Sequence, residues 1–171
     1  MGEELSRWLA LRESADFAAR SERITGLIVE RLADLRPIRA LDLGTGTGSN
    51  IRYLASRFNA DQQWVAVDKD PELLAEAAER CASIGPGVQI RTRQHDLGAR
   101  LPSDLFDERH LVTASALLDL VSPTWLDNVA IECRRVGASA LFTLTYNGSN
   151  ECAPRDPDDD RDVILETKAG E

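Results

Sequence analysis

The sequence predicts an α/β fold built on a doubly wound, mostly parallel sheet, and three observations carry that expectation. Short apolar runs alternate with stretches whose apolar residues recur at helical spacing. One run, Arg39-Ala40-Leu41-Asp42-Leu43, breaks into Gly44, Gly46 and Gly48, and Ile51, Tyr53, Leu54, Ala55 and Phe58 follow at helical spacing. A second run, Trp64-Val65-Ala66-Val67, ends in Asp68, the place where open α/β sheets receive ligands. The chain has 171 residues, 43% of them hydrophobic, which suits one domain with a substantial core. The boundaries read as an N-terminal helical cover over residues 1–36, an α/β core over 37–148 and an acidic extension over 149–171.

Residues Leu5 to Leu35 read as two helices ahead of the sheet. The first is short and carries Trp8, Leu9 and Leu11. The second, with Ser14 as N-cap, puts Phe17, Ile24, Leu27, Ile28 and Leu32 on one face and ends before Pro37. Asp16 and Arg20 stand four apart, where a helix lets them pair.

The glycine stretch is the chemical centre. A strand, a glycine turn and a helix bring a ligand against backbone N–H groups at a helix N-terminus. A dinucleotide fingerprint would need a glycine where Ser49 stands. Asp42 also lies two residues before the first glycine. A carboxylate there repels a pyrophosphate and attracts a cationic ligand, and it must be satisfied if buried. Asp42-Leu43-Gly44-Thr45-Gly46-Thr47-Gly48 thus resembles the first motif of class I S-adenosylmethionine-dependent methyltransferases, Rossmann-like enzymes whose cofactor carries a sulfonium and an amino group. The resemblance extends over roughly residues 15–148 and is to the small bacterial members of unassigned substrate. It implies that Asp42, Gly44, Thr45, Gly46, Gly48 and Asn50 serve the cofactor. It also implies that the N-terminal helices cover the pocket, with Arg20 as the candidate partner of the cofactor carboxylate.

After the glycine loop, Asp68 suits a ribose hydroxyl with Lys69 beside it, while Asp70 caps the next helix and Pro71 is its first residue. Asp68 by itself does not choose between cofactors. Gly85-Pro86-Gly87 is a turn, and Val88 to Arg93 alternates as a strand. In the family an acidic residue after the third strand takes the adenine amino group and the next N–H meets a ring nitrogen. Asp96 and Leu97 match that arrangement. His95 has no neighbour at metal-ligand spacing, so no metal is expected. His110 to Leu120 is a fourth strand running into a loop, and Ser115 at its end faces cofactor and acceptor. Ser122-Pro123-Thr124-Trp125 opens a helix packed through Trp125, Val129, Ile131 and Val136 and closed by Gly137. Ala138 to Tyr146 is the fifth strand.

Two departures from the family qualify the resemblance. Family domains add two strands after the fifth. Here only Asp162 to Thr167 offers a further element, behind an Asp-rich run from Asp156 to Asp162. The expectation is therefore a shortened chain that associates weakly with itself through its fifth strand. Second, Thr113-Ala114-Ser115-Ala116 stands where amino-directed nucleic-acid methyltransferases carry an Asn/Asp-Pro-Pro-aromatic motif. Together with a net charge of −9 this points away from nucleic acid. No general base declares itself. Asp119 and Tyr146 are the polar candidates on the acceptor side, each structural by default.

Cys81, Cys133 and Cys152 are an odd number without a CxxC pair, which reads as reduced structural thiols. With an acidic N-terminus and no apolar signal region, a cytoplasmic protein is expected. The leading expectation is methyl transfer from S-adenosylmethionine to a small-molecule or protein acceptor. The alternatives are a cofactor-binding module without turnover and an NAD-dependent reductase, the latter opposed by Asp42 and Ser49.

Overall fold

The structure, a computed structural model, describes residues 2–144, and side chains from residue 4 onward. The expectations for Tyr146, Cys152 and residues 149–171 lie outside the described residues. Two helices come first, α1 (Gly2–Ala18) and α2 (Glu22–Arg31). Then β1 (Ile38–Leu43), α3 (Ser49–Ala55), β2 (Gln62–Asp68), α4 (Pro71–Cys81) and β3 (Val88–Gln94) alternate. A single 3-10 turn at Ser103–Leu105 precedes β4 (Leu111–Ser115), α5 (Pro123–Val136) and β5 (Ser139–Thr143).

The strands form one sheet in the order β3-β2-β1-β4-β5, and every pairing is parallel. The chain builds outward from β1 to β3 and then returns to β4 on the other side of β1. The direction of winding therefore reverses between β1 and β4, and a crevice opens at their C-terminal ends. Register puts Asp42 level with Ala66 and Thr113, and Leu43 level with Val67 and Ala114.

Two apolar layers sandwich the sheet. One gathers Ile51, Tyr53, Leu54, Trp64, Leu74 and Cys81 from the α3 and α4 side. The other gathers Leu41, Val112, Phe106, Trp125, Val129 and Cys133. Strand β1 is buried almost throughout because both its faces carry a layer, which is why its sequence reads as a run rather than an alternation.

The caps at Asp70, Ser122 and Gly137 stand where the sequence places them. The helical cover differs. Ser14 lies inside α1, and the cap of the second helix is Ser21, whose hydroxyl accepts from the Ile24 N–H at 3.4 Å. Phe17 therefore belongs to α1 and meets the Tyr53 ring edge-on at 5.1 Å. Asp16 pairs with Arg12 on its own helix at 2.8 Å, because Arg20 falls past the helix end and turns inward. Ile24 and Leu27 are exposed, since α2 buries only Thr25 fully. Ile131 is exposed as well. The buried stripe of α5 runs Trp125, Val129, Cys133, and Ile131 sits half a turn out of phase with it.

Candidate cofactor site

The glycine loop closes directly over the end of β1. The N–H groups of Gly44 and Thr45 both donate to the Val67 carbonyl, at 2.9 and 3.0 Å, tying the loop to β2. Gly46 and Gly48 hold φ of 52° and 80°, the left-handed region that penalises any Cβ. Their surroundings differ. A Cβ on Gly48 would meet Cys81 Sγ at 2.8 Å and Ala77 at 3.3 Å, so α4 packs hard against the loop. A Cβ on Gly46 would meet only the tip of Leu9 at 3.2 Å, which places α1 directly above the loop.

Beneath the loop Asp42 organises a buried polar network. Its carboxylate is 0% exposed and accepts three hydrogen bonds, from Thr45 Oγ1 at 2.7 Å, Asn50 Nδ2 at 2.6 Å and Thr113 Oγ1 at 2.6 Å. Burial pushes the Asp42 carboxyl up from its ordinary value, while those donors and the charge of Arg20 pull it back. Asn50 passes the network on, its Oδ1 accepting from Arg20 Nη1 at 2.7 Å. Arg20 then reaches the ends of two strands, Ser115 Oγ on β4 at 3.1 Å and Thr143 Oγ1 on β5 at 3.2 Å. Its guanidinium also lies 4.8 Å from the centroid of the Tyr53 ring. Arg20 is 8% exposed, and its Nε is buried without a hydrogen-bond partner among the described residues. Burial pulls its pKa down, opposed by Asp42. A charged donor left unmatched in such a place calls for an anionic or carbonyl acceptor.

Asp68 anchors the other side of the loop. Its carboxylate accepts from the Gly46 N–H at 2.9 Å and the Asp70 N–H at 3.1 Å, and lone pairs remain on both oxygens. Leu97 and Leu117 stand over Gly44, within 3.6 and 3.2 Å of where its Cβ would be, and form an apolar jaw at the crevice. Asp96 is exposed and accepts from the Gly98 N–H at 2.9 Å, closing its own turn. The Lys69 side chain is exposed, while its carbonyl accepts from Gln94. Asp119 is exposed and stands apart from the network.

Helix α1 is held over the loop by a charge clamp. Glu13 takes Arg52 of α3 and Arg80 of α4, both at 2.7 Å. Arg52 in turn donates to the Thr47 carbonyl at 2.6 Å.

The structure thus unites Arg20, Asp42, Thr45, Asn50 and Ser115 in one network and links Asp68 to Gly46. It adds Thr113, Thr143 and Leu117, which sequence reasoning did not single out. Thr113 faces Asp42 only through the β1–β4 register, and no local pattern encodes that register. Ala116, at φ 52°, is a strained residue at the mouth of the site with no sequence signal.

This fold, with acidic residues and a glycine loop at the C-terminal ends of parallel strands, defines a Rossmann-like cofactor-binding domain. Residues 40–139 match the methyltransferase domain family, more than half the chain, and the chain belongs to that family, whose cofactor is S-adenosylmethionine. No curated protein matches the sequence. Solved structures share the fold at low identity. A candidate S-adenosyl-L-methionine-dependent methyltransferase from Methanococcus maripaludis is 16% identical with a TM-score of 0.58, over 84% of this chain and 62% of that one. The CurJ carbon methyltransferase is 19% identical with a TM-score of 0.53, over 70% of this chain and 33% of that one. The glycopeptide N-methyltransferase MtfA, solved with S-adenosyl-L-methionine, is 15% identical with a TM-score of 0.50, over 70% and 52%. The chain spans less than two thirds of the length of each of them.

Proposed function

We propose that this chain binds S-adenosylmethionine in the crevice between β1 and β4 and directs its methyl group to a small-molecule or protein acceptor in the cytoplasm. The observation that carries the reading is Arg20, a buried guanidinium with an unmatched Nε at the meeting point of α3, β4 and β5.

The cofactor supplies an electrophilic methyl on a sulfonium, and displacement there needs mainly alignment. The residues suit the rest of that molecule. Arg20 presents donors to its carboxylate. Gly46, lacking a Cβ, lets the loop backbone approach. Asp68 accepts from ribose hydroxyls. Asp96 and the Leu97 N–H stand at the adenine end, and Leu97 and Leu117 supply apolar contact for the ring. Asp42 acts as a positioning residue. Fully enclosed, it reaches the ligand through Thr45 and Asn50 and through the negative field it adds near a cation. Ser115 faces the acceptor side, where no general base is assigned. Net charge of −9 and the Thr113-Ala114-Ser115-Ala116 stretch favour a small or protein acceptor over nucleic acid. Among the described residues no helix is long and apolar enough to cross a membrane.

Calorimetry tests the binding half. S-adenosylhomocysteine should bind and NAD should not, and Asp68→Ala should weaken S-adenosylhomocysteine about 10- to 100-fold, the worth of a charge-assisted hydrogen bond. Equal affinity for NAD, or an Asp68→Ala variant that binds like the parent, would overturn the assignment. Tight binding without turnover on any acceptor would leave a cofactor-binding module.

A further inference from the structure

The sheet has a second chemistry-bearing region, at the ends of β1 and β4 away from the crevice. Arg39 on β1 lies level with Gln63 on β2 and Gln89 on β3, and Arg91 stands two residues beyond Gln89 on the same face. The turn before β4 brings Arg109 and His110 to that face. Two hydrogen bonds fix this turn to β1. The His110 N–H donates to the Arg39 carbonyl at 2.8 Å, and the Arg39 N–H donates to His110 Nδ1 at 3.1 Å. With Nδ1 accepting, the imidazole proton is assigned to Nε2, a donor with no partner among the described residues.

Arg109 is pinned through Nε to the Leu105 carbonyl at 3.1 Å, and its terminal nitrogens have no partner among the described residues. Arg91 makes no ion pair or hydrogen bond there, and its side chain is exposed. Two acids lie near. Glu108 stands 3.7 Å from Arg39 with its side chain 76% exposed. Asp107 is engaged by Arg135 at 2.9 Å. Three arginines therefore share one face of the sheet with Glu108, which is loosely held, and Asp107, which Arg135 engages, on a chain whose net charge is −9. Burial lowers the Arg109 pKa first, and Arg39 and Arg91 lower it further against Glu108 and Asp107. His110 is lowered by burial, Arg39 and Arg109, against Glu108. Such an arrangement opposes its own charge unless an anion joins it.

We infer that Arg39, Arg91 and Arg109, with the unpartnered N–H of His110, form a binding site for a phosphate-class dianion, separate from the cofactor crevice. A dianion with several acceptor oxygens can meet more than one guanidinium fork at once, which a single carboxylate cannot do as fully. The inference is independent of the methyltransferase reading.

The chain's two histidines, His95 and His110, make proton NMR the direct test, with inorganic phosphate as the probe. Phosphate should raise the His110 titration midpoint by roughly one unit while leaving His95 in place. Arg91→Gln, at an exposed site that leaves folding intact, should weaken phosphate about tenfold. Saturating S-adenosylhomocysteine should leave phosphate affinity unchanged. Potassium chloride at matched ionic strength producing the same His110 shift would overturn the site as mere screening. Parent-like phosphate affinity in Arg91→Gln, or displacement of phosphate by S-adenosylhomocysteine, would overturn it equally.

Discussion

Gly48 and Cys81 occupy a contact so close that neither side chain can be chosen alone. Adding a methyl at Gly48 meets Cys81 Sγ at 2.8 Å and imposes a side chain at φ 80°. Gly48→Ala should therefore lose about 2–4 kcal/mol, part from left-handed strain and part from overpacking. In a Cys81→Ala background most of the overpacking should go, leaving the strain and the milder Ala77 contact at 3.3 Å, so the same substitution should cost about 1–2 kcal/mol there. Urea melts of the four proteins check this, and an unchanged cost would show that the sulfur is not what the methyl meets. At this scale legibility followed sequence distance. Asp42, Gly44, Gly46 and Gly48 lie within one turn and declare themselves. The partners of Arg20 do not, because Ser115 is 95 residues away and Thr143 is 123. Asp16, four residues off and chemically apt, was the obvious partner, but α1 ends between them and Arg12 takes it.

Among the helices, those that pack on the sheet were readable and those that cover the site were not. α4 and α5 carry capping side chains and a single apolar stripe, so their ends and faces follow from local rules. α1 has no such stripe, and Leu5, Trp8 and Leu11 all remain exposed. Apart from Phe17 against Tyr53, it is attached by polar contacts, Ser6 to Glu76 at 2.5 Å and Glu13 to Arg52 and Arg80. Polar attachments at long range leave no period to read, which is why Ser14 and Ser21 look equally good as caps. The same fact predicts where the structure yields first. Glu13→Gln keeps the shape and removes the charge shared by two arginines, at about 1 kcal/mol for a partly buried group. Backbone amides of α1 should then exchange about fivefold faster, with those of β1 unchanged. Uniform acceleration throughout the molecule would mean that α1 does not move as a separate unit.

At the scale of the molecule, the described residues form a sheet with two edges, and only the alternation of runs and periodic stretches announced that sheet from sequence. The order of strands depends on which pairs meet, a long-range matter that neither period nor propensity encodes. β3 guards its edge with Arg91 and Arg93, the latter paired to Asp104 at 2.8 Å. β5 pairs with β4 on one side and with no other strand among the described residues. The chain should therefore associate weakly through β5, and light scattering over a concentration series should show it. Ala140→Lys, at an exposed position on that strand, should abolish the association. A strictly monomeric parent, with the β5 amides exchanging as slowly as those of β1, would show that the edge is covered.

The hydrogen bond between Arg20 and Thr143 joins the first part of the described chain to the last. On the ribosome, 123 residues separate them, roughly 6–25 s of synthesis at ordinary elongation rates. During that interval β1 to β4 have already been made and Asp42 can be buried, yet the guanidinium that balances it lacks its final anchor. The Arg20 network is thus completed only when β5 appears, and a nascent chain halted before it would hold the guanidinium through Asn50 and Ser115 alone. How late in synthesis that network closes is therefore set by the distance along the chain between two residues that touch.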